Sequence, residues 1–172
     1  MGGFSKETIN RLLGELDAEL APHGVKAELY LVGGAVMTLV YDARPATKDI
    51  DAMFKPQEVV RSAARRVALR NRLDEGWLND AAKGFLSSNG DFSRYADLTH
   101  LRVYVPSAEY LFAMKAMAMR LGPEFADEDD VRFLGRWLNL KSSEQALAVV
   151  GKYYPLERLP QKAFYALEEI FA

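Results

Sequence analysis

LVGGAVMTLVYDARPATKDIDAMF, residues 31–54, is the stretch whose reading decides the fold. The run leading into it, KAELYLV (26–32), is short and enters Gly33-Gly34 directly, which predicts a strand rather than a helix. AVMTLVYDA (35–43) takes up helical spacing until Arg44-Pro45 ends it. KDIDAMF (48–54) alternates charged and apolar residues, the period of a half-buried strand. Strand, diglycine, helix and acidic strand therefore follow one another within thirty residues.

That order carries chemistry. Glycine lacks the Cβ that would hold backbone N–H groups away from a ligand. The helix beginning after Gly33-Gly34 turns its positive end toward the same spot, which suits a phosphate. Asp49 and Asp51 stand two apart, and on a strand such residues share a face at roughly 6.5–7 Å between Cα atoms. Two adjacent carboxylates repel unless a cation lies between them. Mg²⁺, or Mn²⁺ in its place, takes one or two carboxylates together with substrate phosphates. The stretch thus predicts a seat for a nucleoside triphosphate and its metal. Neither G-x-x-x-x-G-K-[ST] nor G-x-G-x-x-G occurs, so the other common phosphate turns are excluded.

Outward from this core, Ile9, Leu12, Leu13, Leu16 and Leu20 share one face of a helix over 5–21, with Ser5 as its N-cap. Residues 57–72 predict an amphipathic helix with an arginine face, 77–86 a further helix, 87–100 a polar connector and 101–105 a strand. Helices at 108–121, after the acidic run 124–130, and at 143–151 and 160–171 complete the chain. The expected fold class is α/β: a small mixed sheet over 1–106, with a helical portion over 107–172 packed on it as one compact unit.

Composition narrows the classes. No cysteine occurs among the 172 residues, which excludes thiol nucleophiles, disulfide scaffolds and cysteine zinc sites. Two histidines leave little room for a histidine metal site or a serine triad. The net charge of −2 argues against a surface that binds nucleic acid all over, while allowing a local patch. No run approaches the ~20 apolar residues that span a bilayer, and no signal peptide opens the chain, so a cytoplasmic location without membrane contact is expected.

Gly33-Gly34, Arg44, Thr47 and Asp49-Ile50-Asp51, spelled V-G-G-A…R-x-x-T-x-D-I-D, resemble the nucleotidyltransferase superfamily of the polymerase-β type. The spelling is similar to its bacterial abortive-infection and toxin–antitoxin branch, DUF6036 included. Trp77-Leu78-Asn79-Asp80 and EYLFAMKAMAMR (109–120) with Asp127 and Asp130 extend the resemblance in segments over 26–140. The resemblance implies that Gly33 and Gly34 cradle the triphosphate and that Asp49 and Asp51 hold the metal. It implies that Lys115 reaches the phosphates, that Asp130, or else Asp127, orients Lys115 or activates the acceptor, and that Thr47 and Lys48 border the pocket. Members usually carry a third carboxylate on a later central strand. LRVYV (101–105) offers none, and Asp97 is the nearest acid before it.

The function expected is transfer of a nucleoside monophosphate from an NTP to an acceptor, with a tRNA 3′ end or other RNA as first acceptor. The setting would be toxin–antitoxin or defence, with a cognate antitoxin as possible partner. Arg61, Arg65, Arg66 and Arg70 are the candidate RNA strip, and a solvated basic face is their plainer explanation. Two alternatives stand beside this: the same fold acting on a small molecule or protein, and a non-catalytic nucleotide- or partner-binding module. Lys115 can equally be a lysine that snorkels from an amphipathic helix.

Overall fold

The structure, a computed structural model, describes residues 3–172. The chain forms two compact units, one of residues up to Gly84 with Phe92–Val105, the other of Phe85–Asp91 with Pro106–Ala172. The fold class is α/β, as the alternation of elements requires.

In the first unit a two-residue strand β1 (Phe4–Ser5) runs into helix α1 (Lys6–Leu20). Ser5 caps that helix by accepting from the Thr8 N–H at 3.2 Å. Strand β2 (Ala27–Val32) leads to helix α2 (Gly34–Leu39), a short strand β3 (Ala46–Thr47) and strand β4 (Ile50–Lys55). Helix α3 (Gln57–Asn71), strand β5 (Leu78–Asn79), strand β6 (Phe92–Asp97) and strand β7 (Leu101–Pro106) follow. The main sheet has the order β5-β4-β2-β7-β6, and β1 pairs with β3 apart from it.

Register and burial agree. β2 is antiparallel to β4, with Leu29 opposite Phe54 and Leu31 opposite Ala52, and parallel to β7, with Leu29 beside Val103. These residues are buried and form the helix-covered face together with the α1 stripe Ile9, Leu12, Leu13, Leu16 and Leu20. The alternate residues Glu28, Tyr30, Asp51, Met53 and Tyr104 are half-buried on the other face. There Tyr30 stacks on Tyr104 with centroids 4.7 Å apart.

Three expectations are corrected. Residues 77–86 are not one helix: Leu78 and Asn79 pair with Ile50 and Asp51 as β5, and only a 3-10 turn, Ala81–Phe85, follows. A free strand edge outweighs a weak helical preference here. The polar connector 87–100 contains strand β6, an edge strand whose outward residues are polar for that reason. Helix α2 stops at Leu39, four residues early, because Asp42 adopts a left-handed backbone (φ 49°) and the Ala43 N–H closes back on the Met37 carbonyl at 3.0 Å.

The second unit is helical: α4 (Ala108–Met117), α5 (Asp127–Trp137), α6 (Ser143–Gly151) and α7 (Gln161–Ile170). α4 is apolar nearly all round, with Tyr110, Leu111, Phe112, Ala113, Met114 and Ala116 buried, and α5, α6 and α7 pack against it. Residues 85–91 join this unit through polar contacts. The Ser87 N–H donates to the Tyr110 hydroxyl at 2.8 Å, and the Tyr154 hydroxyl donates to the Phe85 carbonyl.

Replacing Leu16, fully buried, by alanine is expected to cost about 2–5 kcal/mol by chemical denaturation. Leu69→Ala on α3, where the side chain is 80% exposed, is expected to change stability by less than about 0.5 kcal/mol.

Candidate active site

The first cluster forms where β2 ends. Gly33 has φ 65° and ψ −145°, a backbone conformation open essentially to glycine alone. A Cβ placed there would lie 3.1 Å from Asp51 Oδ2, so the carboxylate rests directly against the Gly33 backbone. Asp51 reaches this place because β4 pairs antiparallel with β2, with Val32 opposite Asp51. A Cβ on Gly34 would come 2.5 Å from Thr47 Oγ1 and 2.9 Å from Arg44 Nη2. Gly33, Gly34, Arg44, Thr47 and Asp51, distant in sequence, are thus gathered at one corner, and each glycine makes room for one partner or more.

The remaining predicted residues take different places. The Thr47 side chain is buried, and its hydroxyl donates to the Asp49 carbonyl at 3.2 Å, which fixes the bend before β4. Asp49 lies in that bend, one residue ahead of the strand, and is exposed, as is Lys48. Strand alternation therefore aims Asp51, and the Thr47 bend positions Asp49. β1 braces the bend from outside, pairing Phe4 with Thr47 and Ser5 with Ala46.

A third carboxylate, looked for on 101–105 in the strand β7, is not found there. β7 pairs with β2 and not with β4, and Asp97 sits on β6 at the far edge, ion-paired with Lys26 at 2.6 Å. The strand flanking β4 is β5, which sets Asn79 in register with Asp51. A carboxamide, not a carboxylate, is the neighbour there. Its Oδ1 accepts from the Ala81 N–H at 3.2 Å. The adjoining Asp80 is bound to Gln57 (2.9 Å), Arg61 (3.3 Å) and Lys83 (3.4 Å). The signal that could have found Asn79 was Trp77, whose burial (2% exposed) and bond to the Ala64 carbonyl (3.0 Å) anchor the start of β5.

The second cluster lies within the helical unit. Lys115 Nζ on α4 is 2.7 Å from Asp130 Oδ2 and 3.6 Å from Asp127 Oδ1, both on α5. Its side chain is 11% exposed and the two carboxylates less, so this is a buried ionic knot joining two helices. Burial alone would raise the Asp127 pKa. Hydrogen bonds from the Arg120 side chain and amide, with the charges of Lys115 and Arg120, outweigh burial and hold it below the usual carboxylate value.

The arginines of α3 are largely neutralised. Arg66 pairs with Glu19 at 2.7 Å, Arg70 with Glu19 and Glu15, and Arg61 with Asp80 and Glu58. Of the four, Arg65 alone has no ion pair among the described residues.

A family model described as a nucleotidyltransferase of unknown function, DUF6036, matches residues 7–134. The chain belongs to the DUF6036 family. The match takes in both clusters, from the diglycine corner to the Lys115–Asp130 pair. No curated protein and no solved structure matches this DUF6036 chain. No helix among the described residues is long and apolar enough to cross a membrane.

Gly33→Ala is expected to destabilise the protein by about 1–3 kcal/mol from backbone strain and to displace the Asp51 carboxylate. Gly24→Ala, with φ 65° but no atom within 4 Å of the new Cβ, isolates the strain in a parallel thermal melt. Because its folded pKa is depressed, Asp127 contributes stability that is complete above the unfolded value of ~3.9 and is lost as pH falls through the folded value. Melting temperature is therefore expected to fall below about pH 4, and Asp127→Asn to flatten that fall while lowering the plateau at neutral pH.

Proposed function

We propose that this DUF6036 protein transfers a nucleoside monophosphate from an NTP to an acceptor hydroxyl at the diglycine corner, releasing pyrophosphate. The observation that carries the reading is the Asp51 carboxylate against the Gly33 backbone. A carboxylate and the N–H groups of a glycine turn, brought together, suit opposite ends of one ligand: cation and phosphate.

The donor set fits a hard cation. Asp49 and Asp51 offer carboxylate oxygens, and no group of three or more His, Cys, Asp or Glu able to hold a metal occurs among the described residues. A cation held by two protein carboxylates takes its other ligands from water and phosphate, as Mg²⁺ does in phosphoryl-transfer sites. When bound, Mg²⁺ or Mn²⁺ would supply neutralisation of the charge on the triphosphate.

The chain's own residues do the positioning. The Gly34 and Ala35 N–H groups, at the first turn of α2, have no acceptor within that helix and would receive phosphate oxygens. α2 has only six residues, so the bare amides rather than a long helix dipole do this work. Asp49, exposed and without an ion pair among the described residues, stands where a ligand can reach it. Thr47 holds the bend that presents Asp49, and Lys48 lies on its exposed side. In the transfer itself the acceptor oxygen bonds to the α-phosphorus as the bond to the leaving pyrophosphate breaks, and the acceptor proton passes to a base. Lys115 and its Asp130 partner are proposed as phosphate ligand and orienting group, on the family resemblance and the 2.7 Å pair.

An RNA end, such as a tRNA 3′ terminus, is the first acceptor to test, in a toxin–antitoxin setting with a cognate partner protein. Ion pairing of Arg61, Arg66 and Arg70 leaves α3 a poor strip for that RNA. Incubation with each α-labelled NTP, Mg²⁺ and total tRNA or lysate is expected to place label on one acceptor. Asp51→Ala is expected to lower that labelling by at least about 10³-fold, a loss of ~4 kcal/mol in transition-state stabilisation. Labelling by Asp51→Ala at the wild-type rate sinks the reading. So does NTP binding, by calorimetry, with no label on any acceptor.

A further inference from the structure

α5 carries its four acids in its first turn and its arginines after them. Arg132 and Arg136 stand four apart and so share one stripe. The helix then ends in a specific way. Asn139 takes the left-handed conformation (φ 58°), its N–H bonds to the Arg136 carbonyl at 3.0 Å, and the Leu140 N–H reaches the Gly135 carbonyl at 2.8 Å. This paired closure turns the chain back, so that Lys141 joins Arg136 instead of continuing away from it.

The three cations line one open pocket of about 250 Å³, together with Leu140, Ile170, Phe171 and Ala172. Its floor is built by close approach. A Cβ on Gly135 would lie 2.6 Å from Phe171 Cζ, so only glycine lets that ring sit against α5. Phe171 is in turn set edge-on to Phe112 of α4, with centroids 6.1 Å apart.

Among the described residues no carboxylate forms an ion pair with Arg132, Arg136 or Lys141, although Glu168 and Glu169 lie just before this stretch on α7. Three like charges around an apolar floor repel one another, and they stand in contrast to Arg61, Arg66 and Arg70 of α3, which are matched by acids. Beside Arg136, Trp137 is 60% exposed and stacked on Phe133 at 6.2 Å, 19° from coplanar. Cations and an exposed, braced indole together form the combination that holds a phosphate and stacks a base. At about 250 Å³ and open, the pocket is smaller than sites that enclose whole small molecules, which run ~300–1,000 Å³. It suits one unit of a chain that passes over it.

We propose that this pocket seats a backbone phosphate of single-stranded nucleic acid, with Trp137 as the stacking surface for an adjoining base. The inference concerns binding alone and does not need the transferase reading.

Fluorescence anisotropy of labelled oligouridylate and oligothymidylate against the full chain, over a range of salt, tests it. Arg132→Gln with Arg136→Gln is expected to weaken binding at least tenfold at low salt. It should also flatten the slope of log K against log [salt] by about 0.7, the value for the one phosphate no longer neutralised. Arg132→Lys with Arg136→Lys should restore the slope. Trp137→Leu is expected to weaken binding about tenfold with the slope unchanged. Running the series on the Asp51→Ala protein as well distinguishes failure of binding from failure of catalysis. Wild-type affinity and slope in the double glutamine variant overturn the proposal. So does displacement of the oligonucleotide by polyglutamate at matching charge, since that would show a site for any polyanion.

Discussion

The first unit depends on one close approach, the Asp51 carboxylate against the backbone of Gly33. For that approach β2 must end where it does and β4 must return antiparallel with Val32 opposite Asp51. It also needs a residue without a Cβ at φ 65°, ψ −145°. The neighbouring arrangement follows from it: once Gly33 turns the chain, Gly34 meets Arg44 and Thr47, and Thr47 sets the bend carrying Asp49. β1 then has a partner in β3, which ties the start of α1 to the same corner. A small sheet and a glycine turn thereby bring into one place residues spread over the stretch from 33 to 51.

Much of this was legible in the sequence because it is local. Alternation in KDIDAMF and the diglycine after a short apolar run depend on neighbours two or three residues away, and so did the Ser5 cap. What sequence could not reveal was pairing at a distance. Leu78-Asn79 is a strand because Ile50 and Asp51 offer an unpaired edge, not because its own residues prefer extension. β6 was hidden for the complementary reason: an edge strand with polar outer residues has little hydrophobic period to read. The omission of Asn79 follows from the first of these, since a residue placed on a helix cannot be set in register with Asp51.

Lys115 illustrates how a pair can be legible while its role is not. The resemblance named Lys115 and Asp130 together, and the structure sets them 2.7 Å apart. The same geometry also staples α4 to α5, with Asp127 shared between Lys115 and Arg120. A buried ion pair is costly to form from water and far more costly to leave half-made. Removing Lys115 would therefore lower stability whatever else the lysine does. Activity measured on such a variant speaks to chemistry only when its melting behaviour is measured beside it.

The arginines teach the opposite lesson about charge. Counting residues makes 61–72 the basic segment of this chain, and on a bare helix it would be. Folding brings Glu15 and Glu19 from α1 to Arg66 and Arg70, and Asp80 from beyond β5 to Arg61, so much of the arginine charge of this segment is matched. α5 looks acidic by count, with Asp127, Glu128, Asp129 and Asp130 in one turn. Yet Asp127 and Asp130 point inward and are consumed by Lys115 and Arg120, and the helix emerges with Arg132 and Arg136 unmatched among the described residues. Which charges meet solvent is decided by what packs against each helix. A basic surface must therefore be sought where acids fail to arrive, rather than where arginines are most numerous.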